Sequence, residues 1–466
     1  DGTFETSRFG VCTVPHGKAF VGGAGHLGWI IAELLSDEGY DVIVADTDEE
    51  KLSAIRDSLD VLTFCADGTN PSFMRRKEVR ECDIVVAVTA QDEVNIIACM
   101  LAKKNGIPHT IARIRDPKYL SEPEGYLREN FDLDLVLSPE QITAHEISRI
   151  LMTPSALNVE DFAEGKVRLV GMKIGHRSPL PGKPLKELRL PENVLAALII
   201  RDHRRIIPHG EDILRPLDTV YFLGTPQSLE QLSGFASGAS HYRKSTRRAL
   251  IIGAGRTGNA LAPLLEKDGI SVKVIDKDRL RCEAMAERLK KGVVLCGDGT
   301  DPELLSLEGA ADADTVICTT KDDKLNLMIA LLTKHLGAGQ AIAQVQRPEY
   351  VELFQQVGVD IVLSTRMLAA GEVMAFVRSG AVLSVSLLEG SRVQALEILV
   401  GPSSPAAGLS LMQARLPKEC LVGAIVHDGA FTVPSGRSVL SAGDRIIIIT
   451  ETDAARKVIS YFKGKE

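Results

Sequence analysis

The chain has one tryptophan in 466 residues, no C-x-x-C pair, no long apolar run and no surplus of basic residues. Each absence excludes something. A membrane span requires roughly 18 to 20 continuous apolar residues; the best runs, such as Ile446 to Ile449, are strand-length, so the chain is not expected to cross a bilayer. The eight cysteines (Cys12, Cys65, Cys82, Cys99, Cys282, Cys296, Cys318, Cys420) have no paired spacing and no histidine partners at metal spacing. They read as buried thiols of a reducing compartment, with no metal site. Lys and Arg number 54 against 62 Asp and Glu, a formal charge of -8. Nucleic acid is therefore an unfavoured partner, since counterion release needs a basic surface, and no basic helix-turn-helix segment is evident. Residues Asp1 to Gly17 lack a basic n-region and an apolar h-region, so they read as an N-terminal tail rather than a secretory signal. A G-x-S-x-G elbow, a P-loop lysine and an H-E-x-x-H helix are also missing.

What is present is the balance of an α/β protein, 45% hydrophobic and 25% charged, long enough for three or four domains. The chain also repeats itself. An apolar strand (Ala19, Phe20, Val21) runs into Gly23-Ala24-Gly25-His26-Leu27-Gly28, then a helical pattern through Ile31, Leu34 and Leu35, then Val42-Ile43-Val44-Ala45 ending at Asp46. The same order returns as Ala249 to Ile252, Gly253-Ala254-Gly255-Arg256-Thr257-Gly258, Leu261, Leu264 and Leu265, and Val272 to Ile275 ending at Asp276, with a constant offset of 230. The offset then becomes 231: Asp67-Gly68-Thr69 pairs with Asp298-Gly299-Thr300, Asp83 with Asp314, and Asn95 with Asn326. Short apolar strands alternating with amphipathic helices predict a Rossmann-like, doubly wound parallel sheet with right-handed crossovers in each half.

A β-rich segment follows each unit and is repeated too. Pro208, Gly210, Leu214 and Asp218 precede Val220 to Leu223, and Pro434, Gly436, Leu440 and Asp444 precede Ile446 to Ile449, at an offset of 226. Ser233 to Lys244 is rich in Ser, Gly and Ala and reads as interdomain linker. The expected fold class is thus α/β: two tandem doubly wound parallel sheets, each followed by a small β-rich α+β subdomain. The expected boundaries are tail 1–17, first doubly wound domain 18–140, crossover helix 141–156, first β-rich subdomain 157–235 and linker 236–246. The second doubly wound domain, crossover helix and β-rich subdomain follow at 247–366, 367–382 and 383–466.

The glycine loops carry the chemistry. In G-x-G-x-x-G the first glycine permits the tight turn, the second lets a phosphate approach the backbone, and the third lets helix and strand pack closely. The helix N-terminus offers free N–H groups and partial positive charge to a pyrophosphate. Asp46 and Asp276, each 18 residues after the last glycine, are placed to accept hydrogen bonds from an adenosine ribose, and their charge repels a 2'-phosphate. That favours NAD(H), ATP or ADP over NADP. Asp67 and Asp298 end third strands, where a carboxylate reaches the adenine side or caps an Asp-Gly turn. Thr89 and Thr319 end fourth strands, at the ligand edge or as helix caps. Arg113 and Arg115 end the fifth strand, where they neutralise phosphates or pair with Asp116 or Glu122; Gln344 and Gln346 stand there in the second copy.

An NAD-dependent oxidoreductase acting on a small metabolite is the rival reading. It needs a general acid or base brought to the nicotinamide, and the β-rich segments offer only scattered loop histidines, His176, His203 and His209 in the first and His427 in the second.

The order of strand, G-x-G-x-x-G, terminal Asp, D-G-T, a strand opening on Asp and closing on Thr, then Asp132 to Glu140 resembles the RCK (also called KTN) nucleotide-binding domain. Ile111 to Tyr119 strengthens the match. The P-x-G-x-x-x-L-x-x-x-D segments resemble its C-terminal partner module, and the tandem arrangement is similar to the Trk potassium-uptake regulators over nearly the whole chain. The resemblance implies a regulatory subunit and not an enzyme. It implies a cytoplasmic protein, peripheral on the inner face of the membrane, assembling as a homo-oligomeric, tetrameric ring. Such a subunit binds NAD(H) or ATP/ADP and gates a membrane potassium channel or transporter subunit (TrkH/TrkG-like). Carried residue by residue, the nucleotide contacts fall on Gly23, Ala24, Gly25, His26, Leu27, Gly28, Asp46, Asp67, Thr69, Thr89 and Arg113. In the second site they fall on Gly253, Ala254, Gly255, Arg256, Thr257, Gly258, Asp276, Asp298, Thr300 and Thr319; catalytic and metal residues are absent. The departures are Gln344, His26, Arg256 and the residues before Lys18. The helical segments after Ser138 and Ser364, with Ile142, Ile147, Ile150 and Leu151, and with Met367, Leu368, Val373 and Phe376, are expected either to join subunits or to pack within one chain.

Overall fold

The computed structural model describes residues 17–121, 125–153, 156–202, 204–237, 246–377, 382–388, 393–417, 420–427 and 429–464. The expected tail (1–17, except Gly17) and most of the linker 236–246 lie outside them, as do Cys12 and His203. The chain divides into two compact units, 1–143 with 364–380, and 144–363 with 381–466.

The first unit is a parallel six-stranded sheet of β1 (Lys18–Gly22), β2 (Asp41–Asp46), β3 (Leu62–Cys65), β4 (Ile84–Ala87), β5 (His109–Arg113) and β6 (Leu135–Leu137), in the order β3-β2-β1-β4-β5-β6. Its strands are apolar on both faces because helices cover both, as a parallel sheet requires. The two-residue period divides them cleanly. Ala19, Val21, Val42, Val44, Ile84 and Val86 enter one core layer with helix His26–Asp37. Phe20, Ile43, Ala45, Val85 and Ala87 enter the other with helix Asp92–Lys104.

The first layer is completed from the far half of the sequence. Helix Thr365–Val377 lays Ala369, Ala370, Val373, Met374 and Val377, all buried, into the same cluster as Leu27, Ile31 and Leu35. These positions share one stripe of an α-helix, and the two alanines permit close approach. Met367, Leu368 and Phe376 are half-buried, with the Phe376 ring 5.6 Å from that of His109.

The second unit holds three sheets. The antiparallel sheet of β7 (Ala156–Phe162), β8 (Val167–Lys173), β9 (Val194–Arg201), β10 (Arg204–Ile206) and β11 (Thr219–Gly224) has the order β10-β9-β11-β8-β7. A parallel sheet of β12 (Arg248–Ile252), β13 (Ser271–Asp276), β14 (Val293–Cys296), β15 (Thr315–Cys318), β16 (Ala341–Val345) and β17 (Ile361–Ser364) repeats the first topology as β14-β13-β12-β15-β16-β17. The third, of β18 (Val382–Leu388), β19 (Val393–Leu399), β20 (Cys420–His427), β21 (Ala430–Thr432) and β22 (Arg445–Glu451), repeats the antiparallel order as β18-β19-β22-β20-β21. The fold class is therefore α/β with β-rich antiparallel modules.

The two antiparallel sheets share one core, in which Phe162, Leu169, Leu198 and Leu223 meet Val393, Ala395, Ala424, Ile447 and Ile449. The repeated Leu and Asp before β11 and β22 are structural. Leu214 and Leu440 are fully buried. Asp218 accepts from Arg201 at 2.9 and 2.7 Å and from the Arg215 N–H, while Asp444 meets His427 Nδ1 at 2.5 Å and accepts from the Ser441 N–H. Helix Pro139–Met152 starts in the first unit and continues in the second, where Ser148 Oγ donates to Asp268 Oδ2 at 2.7 Å, just past helix Arg256–Lys267. Among the described residues no helix is long and apolar enough to cross a membrane.

Candidate functional site

Each parallel sheet ends in a glycine loop at its central strand, where the strand order reverses and open α/β sheets hold their ligands. Gly23 and Gly253 turn the chain at φ of 112° and 115°, a left-handed conformation that disfavours side chains. The third glycine is set by contact: a Cβ on Gly28 would stand 1.8 Å from the Gly23 carbonyl oxygen, and on Gly258 1.9 Å from that of Gly253. The middle glycine is different. Gly25 is extended and has nothing within 4 Å of a Cβ, and Gly255 meets only the Thr319 carbonyl oxygen, at 3.9 Å. That open space is where a phosphate would approach the backbone.

The helices that follow, His26–Asp37 and Arg256–Lys267, have no side-chain cap and no acidic residue in the first turn. The next helices of the two halves, Glu49–Ser58 and Arg279–Arg288, are capped by Asp48 and Asp278. The loop helices therefore present first-turn N–H groups, with the positive end of the dipole, to an anion. Ala24, Leu27, Ala254 and Thr257 are buried, whereas His26 and Arg256 are exposed at the loop. The former can offer a ligand backbone, the latter side chain.

Asp46 and Asp276 have a second task that the sequence did not announce. Asp46 Oδ2 accepts from the Ala24 N–H at 2.7 Å and Oδ1 from the Asp48 N–H at 3.0 Å; Asp276 does the same with Ala254 at 2.7 Å and Asp278 at 2.8 Å. Each oxygen keeps a second lone pair for a ribose hydroxyl. The carboxylate thus fixes the glycine loop.

The Asp-Gly-Thr segments form the turn cap. Asp67 Oδ1 accepts from both the N–H and the hydroxyl of Thr69 at 2.8 Å, and Asp298 from those of Thr300 at 2.9 and 2.8 Å. These bonds hold the Asp298 carboxyl below its ordinary value. Both aspartates are exposed, with Oδ2 outside the turn.

The fourth strands differ from expectation. Thr89 gives its N–H and hydroxyl to Asn95 Oδ1 at 2.8 and 2.7 Å, and the same bonds are made in the second half by Thr320 to Asn326, at 3.0 and 2.6 Å. Thr320, not Thr319, is therefore the counterpart of Thr89. Thr319 is buried beneath the loop and donates to the Gly253 carbonyl at 3.0 Å, so its hydroxyl shapes the turn. Its pairing at the sequence level ignored the one-residue shift in offset. The asparagines are the residues that sequence reasoning missed. Both are fully buried, and their amides donate to the fifth-strand carbonyls of Arg113 and Gln344 at 2.8 Å. The repeat had already aligned them, which was the available signal.

Arg113 donates to the Thr89 carbonyl at 2.5 Å and Arg115 to that of Ala90. Buried Asp92 anchors the same turn through the N–H groups of Arg115 and Asp116 at 2.8 and 2.7 Å; Asp323 repeats this with Gln346 and Arg347. Gln344 and Gln346 stand where the first half has Arg113 and Arg115, so the second site lacks both strand-end arginines, with Arg256 on its loop instead. Burial of all thiols does not hold: Cys65 and Cys296 are exposed and Cys420 half-buried, while Cys82, Cys99, Cys282 and Cys318 are buried.

Comparison with known proteins agrees with this geometry. The TrkA-N domain model matches residues 19–139 and 249–365, and the TrkA-C domain model matches 169–236 and 395–463. Trk system potassium uptake protein TrkA homolog 1 of Methanosarcina mazei is 37% identical over 455 residues, spanning 96% of this chain and 100% of that protein. The TrkA homolog of Archaeoglobus fulgidus is 33% identical, over 96% and 100%, and TrkA of Halomonas elongata 32%, over 92% and 95%. Among solved structures, the GsuK channel superposes with a TM-score of 0.62 at 19% identity over 96% of this chain and 78% of its own. The GsuK channel bound to NAD gives 0.61 at 18% identity over 96% and 79%. At such identities the likeness establishes the fold, that of RCK domains. With TrkA-N and TrkA-C domains alternating twice and relatives above 30% identity matched over nearly their full lengths, the chain belongs to the TrkA family of Trk-system potassium uptake proteins.

Proposed function

We propose that this chain is a regulatory subunit of a Trk-type potassium uptake system, which binds an adenosine-containing phosphate ligand, NAD(H) or ATP/ADP, at both glycine loops. It gates a membrane potassium channel or transporter subunit from the cytoplasmic face, working as a homo-oligomeric ring. The observation that carries the reading is the pair of uncapped helix N-termini behind an open middle glycine, each with an aspartate at the ribose position. Structures of GsuK with NAD and with ADP support a nucleotide in such a fold.

The ligand contacts are those named from sequence, with Thr320 in the place of Thr319. The aspartates select an unphosphorylated ribose, and the first-turn N–H groups take the phosphates. Occupancy changes the output only if the ligand prefers one arrangement of the domains, with a coupling of about 1 to 3 kcal/mol, or 5- to 150-fold. The chain binds without turnover. Potassium flux in vesicles carrying the cognate membrane subunit, with and without this protein and with ADP, ATP, NAD or NADH added, tests the proposal. Flux that responds to nucleotide only when the chain is present supports it. Flux indifferent to the chain, or steady oxidation of NADH with a metabolite, contradicts it.

A further inference from the structure

The two halves differ chemically beside their second strands. Cys65 and Cys296 end the third strands, each paired in register with the ribose aspartate, Asp46 or Asp276. The first buried position of the helix between the second and third strands is Leu52 in the first half and Cys282 in the second. Cys282 Sγ lies 3.2 Å from the Asp276 carbonyl oxygen and 3.5 Å from that of Leu295, the residue before Cys296. Cys296 Sγ in turn lies 3.8 Å from the carbonyl oxygen of Lys277, the residue after Asp276, and Cys296 acts on the Cys282 thiol as a near neighbour. Cys282 is buried and Cys296 exposed. Burial, and then Cys296, pushes the Cys282 thiol up to about 11, so Cys282 is the protonated member of the pair.

We propose that Cys282 and Cys296 are an oxidation-sensitive dithiol that closes to a disulfide under hydrogen peroxide, and that closure weakens the nucleotide site at Asp276. The second clause rests on the nucleotide reading above; the first does not. The exposed Cys296 thiolate attacks peroxide: an S–O bond forms, the O–O bond breaks, and the departing hydroxide takes a proton to become water. Cys282 sulfur then attacks Cys296 sulfur, the S–S bond forms, the S–O bond breaks, and the leaving hydroxide departs as water with the Cys282 proton. Two thiols lose two electrons in all and one peroxide becomes two waters.

The effect reaches the ligand through Asp276. The Cys282 S–H donates to its carbonyl, which also accepts from the Gly297 N–H at 2.9 Å, and a disulfide leaves only the second of these bonds. The same residue's carboxylate holds the Ala254 N–H of the glycine loop. In the first half Leu52 stands at the position of Cys282, so the same pair is not present there.

Peptide mapping by mass spectrometry of the full chain after peroxide treatment and thiol blocking tests the first clause. A peptide linking Cys282 to Cys296, lost on adding dithiothreitol, is expected, and Cys282→Ser leaves Cys296 as a sulfenic acid trapped by dimedone. Cys296 recovered unlinked, as thiol or sulfinic acid beside a free Cys282, overturns the dithiol. ADP titrated into a Gly25→Ala chain, where a methyl fills the first loop, reads the second site alone. Oxidation should weaken it by about 2- to 10-fold, the effect of one lost hydrogen bond, with no change in Cys282→Ser. A linked peptide with unaltered ADP affinity overturns the coupling. A linked peptide in a chain that never binds ADP overturns the coupling together with the nucleotide reading of this site, and leaves the dithiol standing.

Discussion

Substituting the glycines of the first loop one at a time separates ligand binding from folding. Gly25 is extended, at φ -73° and ψ 177°, with nothing within 4 Å of a Cβ. Alanine there restricts the unfolded chain, a gain of about 0.4 to 1 kcal/mol, and is a poorer N-cap than glycine by a comparable amount. The two nearly cancel, so Gly25→Ala should unfold in urea within about 1 kcal/mol of the parent. The methyl, however, occupies the approach of a phosphate to the first-turn N–H groups. Loss of one hydrogen bond to a charged group, about 1.5 to 3 kcal/mol, weakens ADP by about 10- to 150-fold at that site. Gly28→Ala reverses the pattern. Its Cβ would lie 1.8 Å from the Gly23 carbonyl oxygen, and backbone cannot swing aside as a side chain tip does, so helix His26–Asp37 must move off the sheet at a cost of about 1 to 3 kcal/mol or more. Calorimetric ADP titration and urea unfolding of both variants read the two quantities. Unchanged affinity in Gly25→Ala would refute the placement of the phosphates on this loop.

Three further outcomes follow from packing and charge. Asn95→Ala removes the acceptor of the Thr89 N–H and the donor to the Arg113 carbonyl, and should lower stability in urea by about 1 to 3 kcal/mol. Met374→Ala, in the helix that completes the first core layer, should cost about 2 to 5 kcal/mol. Burial raises the Glu397 carboxyl above its ordinary value of 4.5, against the Ala163 N–H and Arg445, which lower it. The folded protein thus holds its proton more tightly, and stability falls as pH rises from about 4.5 through the raised value. Glu397→Gln should flatten that slope and raise the melting temperature near neutral pH in a scan from pH 5 to 8.

Much of this was legible in the sequence. The duplication, the glycine loops and the strand-terminal aspartates could be read because a parallel sheet buries both faces and a tight turn leaves few residue choices. The signature before β11 and β22 was visible too, and the buried Leu214, Leu440, Asp218 and Asp444 account for it. What was hidden lies in contacts distant along the chain. The apolar stripe of helix Thr365–Val377 says that it packs, and nothing in it names helix His26–Asp37 as its neighbour. Asn95 reads as a polar helix residue until the fifth strand places the Arg113 carbonyl against its amide. Cys282 and Cys296 have no motif spacing, and meet only because β13, β14 and the intervening helix fold onto one another.

A structure of the chain crystallised with ADP or NADH addresses the central claim most directly. The account predicts pyrophosphate on the backbone of Gly23 to Gly28 and of Gly253 to Gly258, with the adenosine ribose on Asp46 and Asp276. Nucleotide bound against the antiparallel sheets, with both loops empty, would contradict it.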